Sequence, residues 1–414
     1  MVGGERASEG GFSHRTLTLL VASVGGLLAP LNSTMIAVAL PRIRDTFDIG
    51  ITAATWLVTA YLICMAVAHP VAGRLGDTLG YRRVLMGGLG LFLVASLMAA
   101  LATSFPMLLL FRLLQAVGAS LVVPSGAALI RHAYPQASRA TAFGVLGAAI
   151  SLAAAAGPLL GGLLVALADW QAIFYVNVPI VALGLALAAS LREAPLAPSR
   201  PQRSLAPWHL LGDFSLFRSQ NFAAACGAVL FANMTMYTTL FATAFFLEEV
   251  QGRGASQAGP MMGALTAFTV GAAPVGGKVA DKRGRTMPAV AGAVGLVLGV
   301  ALLLPIHAGL PAWHIVLALS IVGLGIGLSS PAIRTAALES CPGEAAATAQ
   351  GMYSMSRYVG SIIGIIIMGR GLGTDASRDY RLLTFVLLLA AVATLAAASL
   401  MRSRPLQTEL RAGM

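Results

Sequence analysis

The sequence predicts an all-α polytopic membrane protein with twelve transmembrane helices in two six-helix pseudo-repeats. Three observations carry this. Of the 414 residues, 57% are hydrophobic and 10% charged, at a mean hydropathy of +0.82, whereas a soluble domain carries about 25% charged residues. The apolar residues fall into runs of roughly 20, the length of one bilayer crossing. A short basic loop also occurs twice: Gly73, Arg74, Leu75, Gly76, Asp77, Gly80, Arg82 and Arg83 are answered by Gly277, Lys278, Asp281, Gly284 and Arg285, an offset of 204 (277 − 73).

In chain order, residues 1–15 are a polar tail expected on the cytoplasmic side. The apolar run that follows is about 24 residues, too long for a signal-peptide core of roughly 7 to 15, so no cleavage is expected. Helices are expected at 16–39, 52–72, 84–103, 106–130, 141–167 and 172–191, forming a first bundle over 16–191. Residues 192–221 hold Pro195, Pro198, Pro201 and Pro207 among several arginines and read as a cytoplasmic linker. An amphipathic piece on the membrane surface could lie near 208–217. The second bundle, 222–401, is expected to hold helices at 222–247, 258–280, 287–305, 312–334, 347–369 and 382–401, before a cytoplasmic tail at 402–414.

A second match supports duplication. Gly144 and Gly157 in the fifth segment correspond to Gly351 and Gly364 in the eleventh, an offset of 207 (351 − 144). Ordinary helix-packing glycines would not share an offset.

The net charge of +11 is scattered over short loops rather than gathered on a face, which argues against nucleic acid as a partner. With both termini inside, 19 of the 27 Lys and Arg lie in cytoplasmic segments. Six lie outside (Arg42, Arg44, Arg253, Arg370, Arg378, Arg381), and Arg112 and Arg357 lie within helices. Cys64, Cys226 and Cys341 have neither metal-ligand nor disulfide-framework spacing, and no cofactor or metal is expected.

The repeated loop resembles the signature between helices 2 and 3, and its weaker counterpart between helices 8 and 9, of the major facilitator superfamily. In that resemblance Asp77 and Asp281 pair with a neighbouring helix end, and the loop arginines bind carboxylates or lipid headgroups as the halves rock. Gly147, Gly157, Pro158, Gly161 and Gly162 resemble the superfamily's antiporter motif in helix 5. Small residues there let two helices press together, and the proline removes one backbone hydrogen bond. Residues 31–41, 56–61 and 170–179 are similar to the drug:proton antiporter families, especially a branch usually built of fourteen helices; here the length leaves room for twelve. The resemblance implies proton-coupled export of a small organic molecule (drug, toxin or metabolite) across the inner membrane by a carrier able to work as a monomer.

Arg112, followed by Gln115 on the same helix face, resembles the family's helix 4 motif. A guanidinium in hydrocarbon costs about 2.5 to 3.5 kcal/mol even on the gentler scale, so a partner or cavity is expected. Asn32 stands where the family ordinarily has an aspartate implicated in proton coupling, and an amide cannot titrate. All sixteen carboxylates fall in tails, loops or helix ends. The remaining titratable candidates are His69, Glu248 and Glu249, each with a plain reading as a packed histidine or a solvated helix end.

Arg357, one turn beyond Tyr353, is the other embedded cation. Together with Arg112 it would favour neutral or anionic substrates. Asn233, Tyr237 and Phe241 share a helix face and suit either a cavity wall or an interhelical seam, as do Met35 and Tyr61.

An ATP-driven pump is disfavoured because the run from Gly271 to Lys278 has glycine where a phosphate-binding loop needs lysine. An intramembrane enzyme is disfavoured because the six histidines are dispersed. A facilitator or uptake carrier for a neutral or anionic metabolite, such as a vitamin, stays open beside the export reading.

Overall fold

The computed structural model describes residues 13–191, 213–253, 255–305, 307, 309–371 and 376–402. Among them there is no strand. The first half holds α1 (His14–Phe47), α2 (Ile51–Leu79), α3 (Tyr81–Ala100), α4 (Phe105–Ala133) and α5 (Arg139–Ala168), then a one-turn helix at Ala172–Tyr175 leading into α6 (Asn177–Ala189). The second holds α7 (Gln220–Phe245), α8 (Ala255–Arg283), α9 (Thr286–Ala301), α10 (Ala312–Glu339), α11 (Ala346–Gly371) and α12 (Ala376–Ser399). Nine stretches of the described residues are long and apolar enough to cross a bilayer, and α9 is a shorter apolar helix.

Several helices outrun their apolar segments: α2 reaches Leu79 rather than 72 and α8 reaches Arg283 rather than 280, and α1 and α10 do so as well. α1 passes the expected end at 39, so Arg42 and Arg44, expected in a loop, lie in its last turns. Arg42 Nε and Nη2 donate to the two oxygens of Asp169 at 2.9 and 3.0 Å, a contact that supports the extra turns. This hydrogen bond, the Trp170 backbone N–H and the nearby positive charge hold the Asp169 carboxyl below its usual range. α10 runs to Glu339 rather than 334, drawing Arg334 inside. Apolar composition marks where lipid ends, not where backbone hydrogen bonding ends. Of the expected linker, residues 192–212 lie outside those described. Asp213 caps a short 3₁₀ turn, Phe214–Arg218, by accepting from the Ser215 N–H at 3.0 Å.

The halves meet along two seams, α2 against α11 and α5 against α8. At each seam a glycine lies on the opposing backbone. A Cβ on Gly73 would overlap the carbonyl oxygen of Ala347, and one on Gly277 that of Ala140. Gly351 sits in the same way on His69, and Gly144 on Ala273. From 73 to 277 and from 69 to 273 the step is 204; from 140 to 347 and from 144 to 351 it is 207. The two offsets found in the sequence are therefore one pseudo-twofold operation. It turns the α2/α11 seam into the α8/α5 seam.

Gly80 and Gly284 each adopt positive φ, 97° and 85°, just where α2 and α8 stop and the chain reverses. This conformation is cheap for glycine alone.

A buried apolar cluster crosses between the halves near the repeated loops, joining Ala140 and Phe143 to Phe222, Ala280, Ile333 and Met352. Toward the opposite face each half has its own cluster, around Trp170, Ile43 and Phe174 in one and Phe246, Leu310 and Tyr380 in the other. The molecule is closed on the loop face.

Gly73→Ala is expected to part the α2/α11 seam. Cys341, buried beside it with its thiol pushed up to about 11 by burial, is then expected to react with maleimide several-fold faster than in the parent, because exposure restores thiolate. Unchanged labelling would show that the seam absorbs the methyl group.

Candidate functional site

The deepest polar cluster of the first half gathers on α4. Arg112 has no solvent exposure; neither have Asn32, Gln115 and Tyr61 around it. The guanidinium Nη1 donates to Asn32 Oδ1 from α1 and to Gln115 Oε1, one turn along α4, at 3.0 Å. Gln115 Nε2 in turn donates to Ser96 Oγ at 2.7 Å, which also accepts from Asn177 Nδ2 at 3.3 Å. The Tyr61 ring on α2 lies 4.2 Å beneath the guanidinium carbon. Four helices and the start of α6 are thus tied by one amide, hydroxyl and guanidinium network, with no carboxylate in it. Ser96 and Asn177 did not stand out in the sequence, because short polar residues in apolar helices are common packing elements.

In the second half, Arg357 lies 4.6 Å from the Tyr358 ring centroid, and Tyr237 of α7 and Tyr353 of α11 are also close. Arg334 sits 5.9 Å from the Tyr353 ring and 5.8 Å from Phe143 of the other half. Sequence reasoning passed over Arg334 because the apolar run stops there. Its helical phase, five residues before the end of α10, was the available signal.

Asn233 turns its amide back onto the Val229 carbonyl at 2.9 Å, within its own helix. Met35 packs under Gly161, and Gly157 lies against Thr34 and Leu31, so α1 and α5 touch closely. Gly364 meets Thr238 and Met234 in the equivalent way. The side chains of Pro158, Phe241, Glu248 and Glu249 lie outside the described residues; α5 is continuous through position 158. Gly147 comes near Ala273 across the seam, and Gly162 is half-buried.

His69 bridges the halves. It lies ten residues before the end of α2 and is fully buried, with Nδ1 on the Met65 carbonyl at 2.6 Å and near Ser120 Oγ at 3.2 Å. Its ring lies 5.2 Å from that of Tyr358 on α11, tilted by 49°.

The segments expected as repeated loops form the closing contacts, but residues 73–77 and 277–281 are the last turns of α2 and α8. The chain leaves the helix only at Gly80 and at Gly284 with Arg285, because backbone hydrogen bonding continues past the apolar run. Asp77 accepts from the Ala347 N–H at 3.0 Å and the Thr348 N–H at 2.8 Å, the first turn of α11. Asp281 accepts from the Ala140 N–H at 3.1 Å, and from the Thr141 N–H at 2.8 Å and its hydroxyl at 2.6 Å, the first turn of α5. Each half thus supplies the carboxylate that caps a helix of the other, where unpaired N–H groups and the positive end of the helix dipole await an anion.

The two caps differ in their surroundings. Arg285 Nη1 holds Asp281 at 2.6 Å, while Nε and Nη2 hold Glu339 at 3.2 and 3.0 Å and Nη2 reaches the Gln136 carbonyl at 2.8 Å. The position 204 residues earlier is Tyr81, which reaches Asp77. Arg131 crosses the seam to the Cys341 carbonyl at 2.6 Å.

Of the other loop cations, Arg82 was expected at a carboxylate or lipid headgroup. Instead it donates to the Ala188 and Ala189 carbonyls at 2.9 and 2.8 Å, capping the C-terminus of α6 where a cation is favoured. Lys278 and Arg83 are exposed and Arg74 half-buried. No group of three metal-ligating side chains forms among the described residues.

Comparison with known proteins agrees with this architecture. The family model of the Major Facilitator Superfamily matches residues 22–365. The MFS-type transporter YvkA of Bacillus subtilis (strain 168) is 33% identical over 86% of this chain and 91% of its own length. The methylenomycin A resistance protein of the same organism is 26% identical, covering 85% of this chain and 86% of that protein. The multidrug resistance protein Stp of Mycobacterium tuberculosis (strain CDC 1551 / Oshkosh) is 29% identical over 85% of this chain and 75% of its own. With its two helical halves, reciprocal carboxylate caps and matched length, the chain belongs to the Major Facilitator Superfamily of membrane transporters, and its function is transport rather than catalysis.

Proposed function

We propose that this transporter exports a small organic molecule across the inner membrane by alternating access, driven by proton antiport. Both termini and the 192–221 linker face the cytoplasm, and the bundles 16–191 and 222–401 are the moving units. The observation that carries the reading is the reciprocal pair of caps, Asp77 on α11 and Asp281 on α5. They join the halves on one face only, while each half keeps a separate core toward the other. Breaking both caps frees the loop face, and the same rigid halves can then close at the opposite end. The resistance names carried by two relatives support efflux as the direction.

The substrate path runs between the Arg112 cluster and the Arg357, Tyr237 and Tyr353 cluster, which face the seam from opposite halves. Asn32 leaves the usual helix 1 position without a titrating group. The proton then uses another ionisable residue, and His69, buried on the seam against Tyr358, is the best placed.

The experiment is efflux of a panel of dyes, antibiotics and vitamins from cells producing the protein. Protonophore-sensitive efflux is expected; downhill movement indifferent to a protonophore would make it a facilitator. Asp77→Asn removes the charge from two hydrogen bonds to N–H groups, each worth about 1.5–3 kcal/mol when charged. It is expected to slow transport roughly tenfold or more while leaving the range of compounds unchanged, read from initial rates across the panel. Asn32→Asp is expected to add a pH dependence to the rate, and an unaltered pH profile would place position 32 off the coupling path.

A further inference from the structure

We propose that Arg112 and Asn32 form the recognition site for a carboxylate carried by the transported compound. This deepens the transport reading above and names the substrate class.

The argument is one of unmatched donors. Both hydrogen bonds that Arg112 makes leave from Nη1, to Asn32 and Gln115, and the Tyr61 ring covers one face of the plane. Nε and Nη2 have no hydrogen-bond partner among the described residues, and neither has Nδ2 of Asn32. All three are donors. Nε–H and Nη2–H lie along one edge of the guanidinium plane, the edge whose two parallel bonds fit both oxygens of a carboxylate.

Nothing described in the chain supplies that acceptor. The sixteen carboxylates fall in tails, loops and helix ends, and the charged or titratable group facing Arg112 among the described residues is the Tyr61 phenol. A buried guanidinium ordinarily has its anion within the protein. Here the residue placed to provide one is Asn32, whose oxygen Arg112 takes and whose nitrogen adds a further donor. A neutral substrate would leave the charge unmatched, and a cationic one would add repulsion.

The location suits a substrate site. Arg112 lies seven residues into α4, about 10 Å from the end of the helix opposite the closed loop face. The buried cluster holding Tyr61 reaches Tyr358 of the other half, and beyond it, toward that end, the halves have separate cores. The cluster is shut in this state, so the carboxylate enters as the halves rock.

The test uses the purified full-length protein in lipid nanodiscs and follows its melting temperature with sodium acetate or benzoate, against sodium chloride and benzamide. Acetate and benzoate are expected to raise the melting temperature in a saturable way, and chloride and benzamide are not. Asn32→Asp sets a carboxylate against the guanidinium. It is expected to raise the melting temperature of the ligand-free protein and abolish the shift with benzoate. Arg112→Lys keeps the charge but loses the fork, and is expected to weaken benzoate binding about tenfold or more. No shift with either carboxylate, equal shifts with chloride or benzamide, or a benzoate shift surviving in Asn32→Asp would overturn the proposal. Dye efflux in cells reads the export proposal separately. Efflux without a carboxylate shift refutes this inference alone, and a carboxylate shift without efflux refutes export alone.

Discussion

The structure depends on backbone meeting backbone at two places. α2 and α8 each carry glycine where α11 and α5 of the other half cross them, and a side chain at Gly73 or Gly277 would occupy the space of a carbonyl. Only at that separation can Asp77 and Asp281 reach the first turns of α11 and α5. The carboxylates satisfy N–H groups that lipid could not, so the contact is strong when made and fully exchangeable with water when broken. A latch between halves that rock, as proposed above, would need both properties.

Duplication explains why the latch exists in two copies, and divergence explains why the copies are unequal. One operation with steps of 204 and 207 relates the seams. Yet Asp281 is backed by Arg285 and Glu339, while Tyr81 stands in the corresponding place beside Asp77. Mutual support between opposite charges makes the Asp281 side the more heavily tied. The two seams therefore need not open with equal ease, although the helices they join are equivalent.

Between the seams and the far face the chain buries Arg112 and Arg334 and half-buries Arg357, with aromatic rings rather than carboxylates as their described neighbours. Rings and amides soften the cost of burying a guanidinium but leave its charge uncancelled. Under the proposed reading, an interior of this sign would disfavour cations and offer anions fixed, desolvated donors. The missing helix 1 carboxylate is thus as consequential as any residue present.

The sequence by itself determined the class of the molecule. Composition, runs of about 20 apolar residues and a loop repeated 204 positions on required a duplicated helical bundle in lipid, because a bilayer admits few other backbones. It also marked Arg112, Asn32, Asp77 and Asp281, since charged or amide groups are conspicuous in an apolar chain. Tertiary structure alone decided the partners. That Asp77 caps α11, that Arg82 caps α6, that Arg334 is inside and that His69 meets the Tyr358 ring all join residues remote in sequence or depend on where a helix truly ends. Hydropathy reads the solvent around a segment; it carries no information about which helix lies across the seam.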